Sequence, residues 1–495
     1  MTTDQFIAGN GCTLNIAEQV ERQAKRRPAA IALITLERVW TYRELIVASH
    51  ALARKLLESG VQPGHRIGVS MLQTPLHLMT VLALARIGAV SVPVHVAQPV
   101  AQRLAVVHRF GIAAIVSGRR DFALEVVPFI DLSGIDLTAP TDLPACTTGP
   151  DDPFRIVLSS GTTGEPKGVL YGHRYMLDRT RHSMQSFHVD ARSRLLPMDL
   201  NFTIGFVYAI GTLLEGGSVV LGPVTTPPDM VQQVRLLGVT HWLLSPIMAE
   251  QIGALMTDDD IHFPSVEHLR MTGAKPGQKL LDMLFRRFTP NVFEHYGLTE
   301  IGALSIATPE LLRRAPDSAG RIDASMTVEV VGADDQPLPA GSVGSLRVKA
   351  PFMIDGYLGE LDKATSRFRN GWYYTGDFAH IDAEGLLFVA GREDNVINIG
   401  GSKFAPWDIE HVLQSHPLVR EAIVFALPQS DGLPVLAAAL AVSNDVSIDE
   451  LHVWARSRLG PRTPARLFVV DALPRTITGK VQRERIGALL GNEQR

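Results

Sequence analysis

The chain has 495 residues and a formal net charge of −4, with 46% hydrophobic and 20% charged residues. This length predicts two or more domains, and the composition is typical of a globular protein. The charge balance argues against a nucleic-acid partner.

Cysteine usage and hydropathy indicate the cellular compartment. The two cysteines, Cys12 and Cys146, have no metal-site spacing, which favours a reducing cytoplasm over a disulfide framework. The most apolar stretch, 78–85, is followed by Arg86 and is far shorter than a membrane span. Because the N-terminus also lacks a basic-then-apolar signal segment, we expect a cytoplasmic protein without a membrane partner.

The first two thirds of the chain alternate between strand and helix signals. Strands are predicted at 31–36, 66–71, 90–94, 194–198 and 218–221, and helices at 15–25, 41–58, 75–87 and 173–182. The second of these helices has a capping box, in which Thr41 is the N-cap and Glu44 follows three residues later. The alternation continues through 239–244, 246–256 and 269–273. This order predicts an α/β fold whose mainly parallel sheets are covered by helices.

The pattern changes near Gly320 and again after Arg392. Short strands with Gly, Asp and Pro turns, at 328–331, 345–349 and 386–389, predict a small antiparallel β-barrel or sheet attached to the α/β part. Helices at 407–414 and 449–459, with strands at 422–426 and 435–442, then predict a separate small α+β domain at the C-terminus.

A Ser/Thr/Gly loop follows the apolar run 156–158, which predicts a buried strand. Its residues are Ser159, Ser160, Gly161, Thr162, Thr163, Gly164, Glu165, Pro166, Lys167 and Gly168. Hydroxyl and backbone N–H groups that converge behind a strand form a phosphate cradle, and Lys167 adds a mobile positive charge. A Walker loop has Gly before its Lys and Ser or Thr after it, whereas Pro166 and Gly168 stand there. The loop therefore predicts phosphate binding outside the kinase and GTPase classes.

Four further motifs follow along the chain. The segment 294–300 ends in Glu300, a carboxylate that can share a hard cation with phosphate oxygens. In 374–377, Asp377 follows a Gly turn and can accept hydrogen bonds from both ribose hydroxyls. The segment 391–394 contains Arg392, and 474–480 places Lys480 after a glycine near the C-terminus.

The five motifs, from Ser159 to Lys480, resemble in kind and order those of the adenylate-forming enzymes: acyl-CoA synthetases, adenylation domains of peptide synthetases and luciferases. The resemblance implies that ATP and Mg²⁺ are used, that Tyr296 stacks on adenine, that Thr299 contacts the α-phosphate and that Glu300 holds Mg²⁺. It also implies nucleotide contacts from Gly273, Ala274, Glu294, His295, Gly297, Asp377 and Arg392. Lys480 takes the place of the catalytic lysine, whose charge lies between the substrate carboxylate and the α-phosphate.

The same resemblance implies two domains and two half-reactions. Residues 1–392 are expected to bind ATP and the acid, and residues 393–495 to form a mobile lid with its hinge at Asp394. A carboxylic acid and ATP first give acyl-AMP and pyrophosphate. The lid then rotates, so that Lys480 leaves the site and a nucleophile takes the acyl group.

The pocket for the acid is predicted around Phe202, which stands at the place of the family's gating aromatic, three residues before Gly205. The residues expected to line an apolar slot beside it are Asn201, Trp242, Leu243, Met271 and Gly273, each of which fits an ordinary core position equally well. Because Asp199 is the one obvious acidic residue here, the slot favours an aryl or heteroaryl acid over an α-amino acid.

Asp199 bears on the acceptor of the acyl group. Its apolar neighbours Met198, Leu200 and Phe202 are expected to raise its pKa towards that of a useful base. An alkylamine arrives as an ammonium ion and needs such a base more than a CoA thiol does. An acidic residue before the gate also resembles the stand-alone amide synthetases of the β-carboline type. An amine acceptor is therefore favoured, with CoA as the close alternative. The alternative role of Asp199 is structural, as a cap of the following turn or the partner of an Arg.

Other classes stay open at this point. A separate carrier protein is a third acceptor, and a luciferase-type oxidoreductase would share every motif. A non-catalytic binding protein is disfavoured, because Lys167, Glu300 and Lys480 are all present.

Overall fold

The computed structural model describes residues 15–146, 148–159, 167–222, 226–256, 258, 260–359, 367–399, 402–429, 432–443, 446–475, 481–483, 485–486 and 490. Most of the predicted phosphate loop, residues 160–166, and Lys480 lie outside these ranges.

The α-helices are α1 (Ile16–Arg26), α2 (Tyr42–Glu58), α3 (Pro75–Arg86), α4 (Val100–Phe110), α5 (His173–Gln185), α6 (Thr203–Leu214), α7 (Pro227–Leu237), α8 (Pro246–Gly253), α9 (Gln278–Met283), α10 (Pro309–Arg314), α11 (Pro406–Gln414) and α12 (Ile448–Leu459).

The strands are β1 (Ile31–Ile34), β2 (Val39–Thr41), β3 (Arg66–Val69), β4 (Val90–Pro93), β5 (Ala114–Ser117), β6 (Phe129–Asp131), β7 (Pro153–Ser159), β8 (Lys167–Gly172), β9 (Arg194–Leu196), β10 (Ser218–Val220), β11 (His241–Leu244), β12 (His268–Met271), β13 (Val292–Leu298), β14 (Gly302–Ala307), β15 (Arg321–Ile322), β16 (Thr327–Val331), β17 (Gly344–Lys349), β18 (Phe368–Arg369), β19 (Trp372–Ile381), β20 (Leu387–Arg392), β21 (Ile397–Ile399), β22 (Ser402–Phe404), β23 (Val419–Gln429), β24 (Gly432–Val442) and β25 (Arg466–Val470).

Two large sheets form the α/β part of the molecule. One has the order β6–β5–β3–β4–β7–β8, in which every pair is parallel except β7–β8. The other has the order β15–β14–β13–β12–β11–β9–β10–β1–β2 and is parallel from β13 to β1. Parallel neighbours need crossover connections, which the alternating helices supply. The predicted α/β class is therefore confirmed.

Smaller sheets follow where the sequence pattern changes. The strands β16–β17–β19–β18, with β20 beside β19, form the predicted antiparallel element. After it, α11 and α12 pack with the sheet β23–β24–β25 around a core of their own, in which Ile409, Val424 and Leu440 are buried. The C-terminal segment thus has the α+β character that its sequence predicts.

Local signals explain two helices directly. In α2, Thr41 Oγ1 accepts a hydrogen bond from the backbone N–H of Glu44, and the Glu44 carboxylate accepts one from that of Thr41 at 2.7 Å, so the capping box is confirmed. The apolar stretch 78–85 is buried along its whole length in α3, as expected of a helix that is hydrophobic all round. No helix in the described part of the chain is long and apolar enough to cross a membrane.

Candidate active site

The predicted gate lies where the two large sheets meet. Asp199 and Phe202 follow strand β9 of one sheet, and His95 follows strand β4 of the other. His95 Nε2 is 3.2 Å from Asp199 Oδ2, and the ring centres of His95 and Phe202 are 5.6 Å apart. Ligand sites of α/β proteins lie outside the carboxyl ends of their parallel strands, so this junction is a candidate substrate site.

Asp199 accepts hydrogen bonds on both carboxylate oxygens. The backbone N and the side-chain Nδ2 of Asn201 donate to Oδ1, each at 2.8 Å, and His95 Nε2 donates to Oδ2. The Ala97 N–H donates to His95 Nδ1 at 3.1 Å. This contact leaves the proton of a neutral imidazole on Nε2, where it points at the carboxylate.

These contacts correct the expected basicity of Asp199. Burial raises the pKa of this carboxyl, but the hydrogen bonds from His95 and Asn201 outweigh it, so the pKa lies below its ordinary value. The prediction of a raised pKa is wrong because it considered only neighbours in sequence, whereas His95 comes from the other sheet. Asp199 does make the contact expected of the structural alternative, since its carboxylate caps the following turn by accepting a hydrogen bond from the Asn201 N–H.

Arg155, which the sequence did not single out, lies beneath the gate. It is fully buried on β7, donates to Ser91 Oγ at 3.3 Å and to the Leu200 carbonyl at 3.1 Å, and lies 4.1 Å from the ring centre of Phe206. Burial lowers its pKa to about 9, and the Asp199 charge acts in the opposite direction. The negative charge of Asp199 thus favours the ionised form of this buried guanidinium, which is the effect of a counter-charge.

Gly205 allows helix α6 to pack closely on the gate segment. A Cβ at this position would collide with the carbonyl oxygens of Met198 and Asp199. Glycine therefore lets the first turn of α6 lie directly on the gate segment, which fixes Phe202 and the buried Asn201 relative to that helix.

Trp242 and Met271 do not line the gate, which corrects the predicted acid slot. Strands β11 and β12 pair in register, with Trp242 beside Leu269 and Leu244 beside Met271, so all four side chains project from one face. Trp242 is fully buried there, 5.2 Å from Phe263 and 5.9 Å from Phe288 between ring centres. This core is covered by α7, α8 and α9. Leu243 points to the opposite face and packs in the core that contains Leu200 and Phe206.

The face of the sheet to which Leu243 points also carries a buried polar cluster. Arg270 donates to Tyr208 Oη at 2.7 Å, to the Ser186 carbonyl at 2.6 Å and to His268 Nε2 at 3.1 Å. The His295 ring centre is 6.4 Å from that of Tyr208. Burial and the nearby positive charges lower the pKa of His295 to about 3, so its imidazole is neutral. The signal that sequence reasoning overlooked is a charged residue inside the strand 268–271, whose other members fit a buried sheet.

Three of the predicted nucleotide motifs converge at one point. Tyr296 Oη donates to Asp377 Oδ2 at 2.5 Å, and Arg392 Nη1 is 3.2 Å from Asp377 Oδ1. Arg392 is in this position because β19 and β20 pair it with Asp377. Asp377 is buried, and two acceptor oxygens on one carboxylate match the two hydroxyls of a ribose.

Glu300 and Lys167 both contact Tyr357. Tyr357 Oη donates to Glu300 Oε1 at 2.6 Å, and Lys167 Nζ lies 4.8 Å from the centre of the Tyr357 ring. The adjacent Thr299 carbonyl accepts a hydrogen bond from Tyr171 Oη at 2.8 Å. One carboxylate suits Mg²⁺, which takes its other ligands from substrate phosphates and water. Within the described ranges, no group of three or more His, Cys, Asp or Glu side chains forms a metal site.

The remaining predicted residues lie around this region. Gly273 has a φ of +90°, which favours glycine, and both it and Ala274 are exposed. Burial raises the pKa of Glu294 to about 8, against the effect of Lys275. Gly297 lies against the Gly302 carbonyl, where no Cβ fits. Ser159 pairs with Lys167 at the ends of β7 and β8, which bracket the undescribed loop containing Ser160, Gly161, Thr162, Thr163 and Gly164.

Comparison with known proteins identifies the family. The model for AMP-binding enzymes matches residues 20–358, and that for the AMP-binding enzyme C-terminal domain matches residues 408–480. The chain belongs to the AMP-binding enzyme family. More particularly, it is an adenylate-forming ligase, and its homologues are CoA ligases and synthetases.

Individual relatives span nearly the whole chain. A 4-chlorobenzoate–CoA ligase from Arthrobacter sp is 28% identical, and the match covers 96% of this chain and 95% of the relative. A feruloyl-CoA synthase from Amycolatopsis sp is also 28% identical, with 95% and 98% covered.

Solved structures agree with the fold. O-succinylbenzoate coenzyme A synthetase (MenE) from Bacillus subtilis, in complex with AMP, is 25% identical and has a TM-score of 0.84 over 94% of this chain and 97% of its own. The amide bond synthetase McbA from Marinactinospora thermotolerans is 23% identical and has a TM-score of 0.83 over 96% and 99%, a likeness of fold alone.

Proposed function

We propose that this enzyme activates an aryl or heteroaryl carboxylic acid with ATP, forming acyl-AMP and pyrophosphate, and then transfers the acyl group to an acceptor. The observation that carries the proposal is the convergence of Tyr296, Asp377 and Arg392, with Glu300 and Lys167 joined nearby through Tyr357. A site for a nucleoside triphosphate requires an aromatic side chain for the base and further groups that bind the ribose, the metal ion and the phosphates.

Each residue has a proposed task in the first half-reaction. Tyr296 stacks on adenine, while Asp377 and Arg392 hold the ribose. Thr299 contacts the α-phosphate, and the Ser159–Gly164 loop with Lys167 holds the phosphates. Glu300 would bind Mg²⁺, which neutralises phosphate charge when bound. Lys480 places its charge between the acid carboxylate and the α-phosphate, where negative charge accumulates during attack.

Residues 1–392 are proposed as the domain that binds ATP and the acid, and residues 393–495 as the lid, with the hinge at Asp394. The separate core around Ile409 and Val424 supports an independent C-terminal unit. Rotation of this unit would withdraw Lys480 after adenylation and admit the acceptor.

The proposed acceptor is the thiol of CoA. Two relatives that match nearly the full chain carry this acceptor in their names, a 4-chlorobenzoate–CoA ligase and a feruloyl-CoA synthase. The lowered pKa of Asp199 removes the strongest argument for an amine, since the carboxylate is a weaker base than its sequence neighbours predict. A thiol needs less help from a base.

An amine acceptor, which would make the enzyme an amide bond synthetase, is the second candidate. The Asp199 side chain is 27% exposed beside Phe202, and a partly exposed carboxylate at the gate can bind an ammonium ion.

The test gives purified enzyme an aryl acid, ATP and Mg²⁺ with either CoA or a primary amine, and products are identified by mass spectrometry. We expect the acyl-CoA thioester. Amide formation without thioester would overturn the CoA assignment and favour the second candidate. Pyrophosphate release with neither product would point to a carrier protein.

A further inference from the structure

The proposed hinge residue is held by two guanidinium groups. Arg367 Nη2 and Arg392 Nη2 each lie 3.3 Å from Asp394 Oδ2. Both arginines also donate to the Thr375 carbonyl through Nη1, Arg367 at 2.7 Å and Arg392 at 3.0 Å. The hinge carboxylate is therefore tied to the turn that precedes Asp377.

Arg367 fits this turn because Gly376 leaves room for it. Gly376 has a φ of +75°, and a Cβ at this position would collide with the Arg367 guanidinium. The planar guanidinium lies across the bare turn and reaches a backbone carbonyl on one side and the hinge on the other. A fork of this kind is specific to arginine, since a lysine has a single donor atom.

The two arginines differ in what else they contact. Arg392 also pairs with Asp377, the proposed ribose ligand, at 3.2 Å. The described side-chain hydrogen bonds of Arg367 instead go to Asp394 and to the carbonyls of Tyr374 and Thr375. Arg392 therefore contacts both the hinge and the proposed ribose ligand, whereas Arg367, among its described contacts, reaches the hinge but not Asp377.

We propose that Arg367 is a positioning residue that holds Asp394 and thereby sets the balance between the two lid orientations. The inference rests on the proposed function, in which the lid turns about Asp394 between half-reactions. The contact between Arg367 and Asp394 stabilises the lid orientation seen in the structure. Weakening this contact favours the other orientation, so the rate of one half-reaction should rise while the rate of the other falls. A general loss of stability would instead lower both rates together.

The test replaces Arg367 with Gln and uses Arg369→Gln as the matched control. Arg369 lies two residues away and also pairs with an aspartate, Asp335, at 3.2 Å, but it does not contact the hinge carboxylate among the described contacts. The first half-reaction is measured by pyrophosphate exchange, and the second by single-turnover transfer from preformed acyl-adenylate.

We expect Arg367→Gln to change the ratio of the two rates by roughly two- to fivefold, the range of a partly exposed ion pair, and Arg367→Lys to restore part of the change. Arg369→Gln should leave the ratio as in wild type. If the ratio of the two rates is the same in Arg367→Gln as in Arg369→Gln, the proposal is overturned.

Asp394→Pro separates failure of this inference from failure of the proposed function. Proline fixes φ at the hinge, so exchange should persist while transfer is blocked. No exchange in wild type would contradict the proposed function itself. A normal Asp394→Pro block, together with an unchanged ratio in Arg367→Gln, would contradict only the role of Arg367.

Discussion

Asp199→Asn tests whether the gate carboxylate is a structural counter-charge or a base. The substitution keeps the size of the side chain but removes its charge and one acceptor oxygen. Three N–H groups, two from Asn201 and one from His95, then face a single carbonyl oxygen and an NH₂ group. Arg155 also loses a negative charge that favours its ionised form.

The expected cost follows from burial. A buried hydrogen-bond donor that loses its partner costs about 1–3 kcal/mol, and more where a charged group is involved. The Asp199 side chain is 27% exposed, so water recovers part of this loss, and we expect unfolding to become easier by about 2 kcal/mol. Because the folded pKa of Asp199 is lowered, its contribution is complete above the unfolded pKa and is lost as pH falls through the folded value. The gap between variant and wild type should therefore be constant from about pH 5 to 8 and narrow below about pH 4.

Urea unfolding at several pH values measures this gap, and Asp121→Asn is the control. Asp121 pairs with Arg119 at the surface, where both side chains are more than half exposed, so its removal should leave the midpoint unchanged. Pyrophosphate exchange, transfer to CoA and transfer to a primary amine are measured in the same variants at temperatures where each is folded. Full stability of Asp199→Asn, combined with a selective loss of amide formation, would refute the counter-charge argument and restore the base.

Two further predictions concern buried residues of the second sheet. Trp242→Ala should destabilise the fold by about 3–5 kcal/mol without changing the order in which acids are preferred, because Trp242 packs in a ring cluster with Phe263 and Phe288. A changed acid preference in a panel assay would show that Trp242 lines the acid pocket. Glu294→Gln should gain stability relative to wild type as pH rises from 5 to 8, since the folded state keeps a proton, up to a pKa of about 8, that the unfolded state releases. A pH-independent difference in urea midpoint would show that Glu294 ionises normally.

What the sequence predicts well is what local chemistry or a long motif determines. Thr41 and Glu44 form their capping box because both partners lie within one helical turn. The alternation of strands and helices predicts the two large sheets, since parallel pairs require crossovers. The meeting of Tyr296 and Asp377 was accessible only through the family resemblance, because the residues are far apart in the chain.

The features that could not be predicted from the sequence depend on which faces and edges of the sheets come together. Strand 241–244 is buried on both faces, so no polar alternation tells which side Trp242 takes. The pairing of His95 with Asp199 joins the ends of strands from different sheets, and it reverses the pKa shift that apolar neighbours suggest. Tertiary contacts of this kind carry no periodic signal.

We expect this chain to form an acyl-adenylate with Lys480 as the catalytic lysine, and ATP–pyrophosphate exchange measures that step alone. Wild-type enzyme should exchange label only when Mg²⁺ and an accepted aryl or heteroaryl acid are present. Lys480→Ala should bind ATP but exchange about 10²–10³-fold more slowly, the cost of losing one preorganised charge in the transition state. Exchange that is independent of any acid would contradict acid adenylation, and normal exchange in Lys480→Ala would contradict the role of this lysine.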